Sequence, residues 1–320
     1  VRQPNNRRPG NLHSSSIFKK TIGIHKERQI PVFPQESFPQ WAEKWHLNIR
    51  PRKQQNKKIA YFAGCTANYP FPEVPRAVVN ILQYNGLDVF YPQQKCCGMP
   101  TLLEGDRQLT MKFVRYNIDR LTEAMKDGYD IVCSCPTCGF MLKNVLKEGA
   151  YYSREYQESV GAHEAYLKIP TGKASDNSGG TEFKLLKKSI YPGILKDDGY
   201  FSAISPMKRI IVAENTFDLG EYLLKLYRSG ELKTTFGEVS SRMVYYPPCH
   251  LREQNIGRPY QELLNLLPVI NLEPVEGGLY CCGMAAFSLS CLSSGGGKSI
   301  ISDRTVSISS AVWSVWSASA

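Results

Sequence analysis

Acidic residues are in short supply: the 320-residue chain carries 29 Asp and Glu against 39 Lys and Arg, a formal charge of +10. Basic clusters such as Arg50-Pro51-Arg52-Lys53 and Lys57-Lys58 suit an anionic surface. No helix-turn-helix, zinc-finger or RNA-binding pattern accompanies them, which argues against nucleic acid as a partner and leaves a solvated face as the default. Long apolar runs are also missing, and none approaches the roughly 18–20 residues of a membrane-spanning helix. Apolar residues as such are not scarce. At 42% hydrophobic the chain is neither a disordered polymer nor a fibrous repeat, and its length allows about two domains with cores of their own.

Cysteine is absent from residues 1–64 and again from 139–248, yet the chain holds 10. A secreted disulfide scaffold is shorter and spreads its cysteines throughout. Crowding into two zones predicts thiolates that bind metal in a reducing, cytoplasmic compartment.

The order of elements predicts an α/β fold. Residues 1–16 are polar and read as a disordered start, and 17–57 as a connector packed on a domain. Ile59–Ala63 is a short strand ending at Gly64-Cys65. Val74, Ala77, Val78, Ile81 and Leu82 mark one face of a helix closed by Gly86. Asp88–Tyr91 is a second strand, leading to a turn at Cys96-Cys97-Gly98. Val114, Ile118, Leu121 and Met125 mark a helix stopped by Gly128, and Asp130–Val132 runs into Cys133-Ser-Cys135-Pro-Thr-Cys138. Such alternation argues for a Rossmann-like parallel sheet over residues 58–150. Residues 151–207 read as an irregular insertion, with a loop over Lys173–Thr181. Arg209–Ala213 reads as a buried strand, Asn215 or Thr216 as the cap of a helix bearing Leu219, Tyr222, Leu223 and Leu226, and Met243–Tyr246 as a strand ending at Pro248-Cys249.

Residues 208–287 then repeat the earlier pattern. Tyr61–Pro100 and Tyr245–Ala285 each run strand, Cys, helix, strand, Cys-Cys-Gly-Met, the second helix carrying Tyr260, Leu263, Leu264 and Leu267 behind Pro259. This predicts an internal duplication whose second copy lacks a Cys-x-x-Cys. The serine-rich stretch 288–320 has no helix or strand period and reads as a non-native tail.

Every cysteine of the first copy except Cys133 sits in a turn beyond a strand, where open α/β sheets bind ligands. Cys65, Cys96, Cys97, Cys135 and Cys138 therefore share one rim. Structural zinc takes four ligands and leaves one thiol idle. An iron–sulfur cluster can use four or more, so iron–sulfur is the favoured reading, with zinc or a redox disulfide as alternatives. Strand alternation turns Cys133 into the sheet face as a buried thiol. Cys249, Cys281 and Cys282 would begin a second, incomplete centre, and Cys291 is a bystander. His250 has two readings of equal weight, as a ligand or proton carrier and as a helix-start hydrogen bond. Glu104 and Asp106 read as first-turn helix charges.

Gly64-Cys65-Thr66, Cys96-Cys97-Gly98-Met99-Pro100 and Ser134-Cys135-Pro136-Thr137-Cys138-Gly139 resemble the cysteine-rich CCG domain, which occurs duplicated in the heterodisulfide reductase B-subunit family and related Fe–S oxidoreductases. Lys20–His25, Phe38–Trp41, Asn215–Tyr222 and Tyr245–Gln254 are similar to the C-subunit family of anaerobic glycerol-3-phosphate dehydrogenases. The resemblance covers roughly residues 17–287. It implies clusters of the [4Fe–4S] class, in some members a non-cubane form using all five cysteines. By that pattern Cys65, Cys96, Cys97, Cys135 and Cys138 hold one centre, while Cys249, Cys281 and Cys282 start another. The implied role is an electron-transfer subunit, peripheral on the inner face of the cell membrane, relaying electrons from flavin-containing dehydrogenase subunits towards quinone.

Two departures from the family pattern stand out. A ferredoxin-like segment is expected upstream of residue 17, and a Cys-x-x-Cys after the second Cys-Cys-Gly. The expectation is a gene cut at its start and shifted out of frame after about Phe287. The alternatives are a CCG-type catalytic subunit acting on a disulfide or hydroxy acid, and a truncated zinc-binding or inactive chain.

Overall fold

In β1 (Lys58–Phe62), Ile59 and Tyr61 point to one face of the sheet and Ala60 and Phe62 to the other, and all four are fully buried. A strand buried on both faces belongs in a parallel sheet covered by helices. The structure, a computed structural model, describes Thr21 and residues 34–50, 56–173, 181–237 and 241–274. After β1 its strands are β2 (Asp88–Phe90), β3 (Tyr129–Cys133), β4 (Tyr166–Lys173), β5 (Thr181–Lys187), β6 (Thr216–Asp218), β7 (Ser241–Tyr245) and β8 (Ile270–Pro274). Its α-helices are α1 (Phe38–Lys44), α2 (Gly64–Asn68), α3 (Glu73–Tyr84), α4 (Met99–Leu103), α5 (Arg107–Lys126), α6 (Pro136–Phe140), α7 (Arg154–Ser159), α8 (Pro206–Glu214), α9 (Leu219–Arg228), α10 (Cys249–Arg252) and α11 (Pro259–Leu264).

The main sheet has the order β2-β1-β3-β6, every pair parallel, with Phe62 level with Cys133 and Cys133 level with Asp218. One face packs Ile59, Tyr61, Val89 and Val132 against Phe38 of α1, Val78 and Leu82 of α3 and Tyr222 and Leu226 of α9. The other packs Ala60, Phe62, Ile131 and Cys133 against Val114, Ile118 and Leu121 of α5 and Val212 of α8. The result is the α/β fold expected, with Cys133 turned into the core as strand alternation requires. The α3 and α5 helices match their apolar spacing. Neither Glu104 nor Asp106 is a first-turn charge: Asp106 is the N-cap of α5, accepting from the Leu109 N–H at 2.9 Å, and Glu104 is the C-cap of α4. Among the described residues no helix is long and apolar enough to cross a membrane.

Four local expectations are corrected. Arg209–Ala213 is not a strand but lies in α8, which starts with Pro206 in its first turn and buries Arg209, Ile210, Val212 and Ala213 while leaving Ile211 exposed. A short apolar run fits either element, and here the adjacent strand is Thr216–Asp218 instead. The cap of α9 is neither Asn215 nor Thr216. It is Asp218, which accepts from Gly220 N–H at 2.9 Å while its own N–H donates to Glu221 at 3.1 Å. The stretch 151–207 is more regular than expected, since β4 and β5 form an antiparallel hairpin. Its β5 side chains are largely exposed, so no apolar alternation announces the strand. Lys173 and Thr181 are paired strand residues, and the loop expected between them covers 174–180, outside the described residues. Helix α11 ends at Leu264, short of Leu267, which packs beside it.

Strands β7 and β8 pair in parallel in a separate two-stranded sheet. Cys281, Cys282 and Cys291, the start at 1–16 and the stretch 288–320 lie outside the described residues.

Candidate metal centre

The chain runs from β1 outward to β2 and then returns to β3 on the other side of β1. That reversal opens a crevice beyond the carboxyl ends of β1 and β3, where open α/β sheets place their ligands. Cys65 follows β1 in α2, Cys96 and Cys97 follow β2 just before α4, and Cys135 and Cys138 follow β3 at the cap and interior of α6. Five cysteines distant in sequence thus come together at one rim.

Each cysteine-bearing turn is pinned by a polar side chain. Gln94 accepts from the Gly64 N–H at 3.1 Å and donates to the Tyr61 carbonyl at 3.1 Å, tying the end of β1 to the Cys96 loop. The buried Tyr91 hydroxyl donates to Asn68 at 3.0 Å, three residues beyond Cys65. Asn117, buried on α5, accepts from Lys95 N–H at 2.8 Å and donates to the Cys96 carbonyl at 2.9 Å. Tyr61 and Ser134 share a 2.6 Å hydrogen bond beside Cys135. Gly98, with φ of 96°, supplies the left-handed turn between Cys97 and α4.

The thiols neighbour one another in the order Cys65, Cys96, Cys97, Cys138, Cys135, each shifting the proton affinity of the next. Donation from Cys138 and from Cys96 lowers Cys97 well below the ordinary thiol range despite burial. Donation from Cys138, reinforced by the backbone N–H groups of Cys138 and Thr137, lowers Cys135 to about 7. Cys138, which donates to both Cys135 and Cys97, is raised, as is Cys65 by donation to Cys96 and by burial. Cys96 accepts from Cys65, which lowers it, but donation to Cys97 and burial prevail and raise it. Cys133 is fully buried in the core below the row, and burial raises its thiol.

Thiols gathered in this way are a set of soft donors. Among the described residues no three His, Cys, Asp or Glu side chains converge on a single-ion position. Five thiols on one rim are more than a four-ligand zinc site takes, and a cluster of several irons can use four or more. The donor set fits a cluster. The rim also leaves no room for a side chain at residue 64, where a Cβ would meet the Cys138 sulfur at 2.7 Å.

Cys249 opens α10, half-buried, and takes no part in the row. His250 does not reach the row either. Its Nδ1 shares a 2.9 Å hydrogen bond with the Thr137 hydroxyl, its ring stacks on Phe140, and burial lowers its basicity.

The family model of the cysteine-rich domain, CCG, matches residues 59–143 and 243–290. Over those two segments the chain is similar to the cysteine-rich CCG domain. The C-subunit of anaerobic glycerol-3-phosphate dehydrogenase from Escherichia coli K12 is 27% identical over 273 residues, which is 84% of this chain and 53% of that protein. The B-subunit of the CoM/CoB fumarate reductase from Methanothermobacter marburgensis is 24% identical over 229 residues, 71% of this chain and 32% of that protein. An uncharacterized iron-sulfur protein of Methanocaldococcus jannaschii is 23% identical over 235 residues, 73% of this chain and 33% of that protein. The chain therefore spans about half of the first relative's length and a third of the others'. No solved structure matches.

Sequence reading overlooked the residues that hold the CCG turns. Asn117 carried a signal, since it lies three residues after Val114 on the apolar face of α5, where an amide is out of place without partners. Gln94 and Thr137 carried none, because their partners come from other strands and segments.

Proposed function

We propose that this chain is an iron–sulfur electron-transfer subunit, with Cys65, Cys96, Cys97, Cys135 and Cys138 as the ligands of its first centre. The observation that carries this is the gathering of those five thiols in the turns beyond β1, β2 and β3, at the switch point of the sheet. The names of the relatives support it, since they are subunits of a dehydrogenase and a reductase and an iron-sulfur protein. A bound cluster supplies a reversible one-electron step. The protein's part is to present thiolates at the rim, and Gln94, Asn117 and Tyr61 hold their turns in place for that. The two matched segments are copies of one unit in this reading. Its support is that β1 with β2 and β7 with β8 are both parallel pairs, and that β1 and β7 are each followed by a helix that begins at or beside a cysteine. Cys249, Cys281 and Cys282 then begin a second centre.

The finer reading is that electrons arrive from a flavin-containing dehydrogenase, with glycerol 3-phosphate as its substrate, and leave towards quinone at a membrane surface. Similarity over most of this chain to the glycerol-3-phosphate dehydrogenase relative supports it. Anaerobic purification with iron, sulfide and zinc quantitation, followed by EPR, tests the cluster. Iron and sulfide in matching amounts are expected, and zinc without iron refutes the proposal. Reduction of the loaded chain by a glycerol-3-phosphate-reduced flavin dehydrogenase tests the donor.

A further inference from the structure

The loop between Cys135 and Cys138 is held from outside its own segment. Thr137, between the two cysteines, shares its 2.9 Å hydrogen bond with His250 Nδ1, 113 residues away. Gln254 Nε2 donates to the Pro136 carbonyl at 3.1 Å and to the His250 carbonyl at 3.2 Å. Past Cys138, a Cβ on residue 139 would stand 2.9 Å from Gln254 Nε2, so Gly139 is what lets the amide approach. The Phe140 ring stacks on His250 at 5.1 Å and 5°, and Asn144 Nδ2 donates to the Glu253 carbonyl at 3.3 Å. Pro136, Thr137, Gly139, Phe140 and Asn144 therefore all meet residues 250–254.

We propose that residues 250–254 of the second CCG segment are an outer shell of the first centre, and that His250 is the positioning residue for its Cys135–Cys138 loop. This deepens the reading of the thiols as cluster ligands and rests on it. The physical link runs through Thr137. It stands between Cys135 and Cys138 in the first turn of α6, and its hydroxyl is anchored by His250. Releasing the hydroxyl lets the backbone of residues 135–138 drift and moves the two sulfurs relative to the N–H groups around them. Hydrogen bonds to ligand sulfurs favour the added electron of a reduced cluster, so their number and direction tune its potential. The second segment thus has a role in the first centre apart from any cluster of its own.

The test uses the full chain, reconstituted anaerobically with iron and sulfide, as wild type and as His250→Ala, His250→Asn, Thr137→Val and Thr137→Ser. Midpoint potential and the EPR line shape of the reduced cluster are the readouts. His250→Ala and Thr137→Val are expected to shift the potential to more negative values and to alter the line shape. Thr137→Ser and His250→Asn keep a polar atom at the bond and are expected to return towards wild type. Hydrogen exchange of the metal-free proteins adds a readout that needs no cluster, with faster exchange expected at 135–140 and none at 107–126 in the two disruptive variants. Loaded variants with wild-type potential, line shape and exchange overturn the inference while leaving the cluster reading intact. A wild type that takes up no iron overturns the cluster reading and this inference with it.

Discussion

A Cβ on Gly64 would stand 2.7 Å from the sulfur of Cys138, so the end of β1 and the Cys135–Cys138 loop touch with no space for a methyl group. Gly64 also has φ of 80°, a conformation that L side chains resist. Gly64→Ala is expected to cost about 1–3 kcal/mol in a urea melt and to lower iron uptake, because the only relief is displacement of a ligand. A variant that loads iron as the wild type does would show the contact to be slack.

Cys97 stands mid-row, accepting hydrogen bonds from both Cys96 and Cys138. Cys97→Ser is expected to abolish most iron and sulfide at the first centre, whereas Cys133→Ser, buried below the row, should keep the iron and lose only stability. Unchanged iron content in Cys97→Ser contradicts the ligand assignment.

Asn117 makes three hydrogen bonds to the backbone of Lys95 and Cys96. Asn117→Leu leaves those groups without partners and is expected to cost about 1–3 kcal/mol. Faster hydrogen exchange at the Lys95 amide is the local signature.

Burial raises the Asp218 carboxyl to about 6, with the Tyr260 hydroxyl and Gly220 N–H offsetting part of the effect. The sign follows from linkage. A raised carboxyl binds its proton more tightly in the folded chain, so its contribution is present in full below about pH 4 and is lost as pH rises through 6. From an ordinary value of 3.8, the loss amounts to about 3 kcal/mol. Asp218→Asn keeps a capping side chain and should flatten this fall. Urea melts of both proteins from pH 4 to 7 check it, and parallel curves would refute it.

Much of the sheet was legible because its signals are local. The β1 run, the face of α3 and the stop at Gly128 each depend on residues within a few positions, and the structure follows them. The failures share a cause. Arg209–Ala213 is apolar enough for a strand or a helix, and only its packing against α5 and the insertion decides for α8. Arg209, read as the first residue of that strand, is instead a buried anchor of the helix, donating to the carbonyls of Ile204 and Glu148 at 3.1 and 3.2 Å. The β4–β5 hairpin was invisible because exposed side chains carry no period.

By itself the sequence determined the alternation of strands and helices, the turns in which the cysteines fall and the chemistry of five soft donors, because spacing and side-chain type are local properties. Only the tertiary structure decided that the donors meet at one rim, that Asn117 and Gln94 hold their turns, and that the His250 ring meets the Thr137 hydroxyl. Those contacts join residues 21 to 113 positions apart, and a contact across such a span exists only once the parallel sheet has brought its strand ends to one rim.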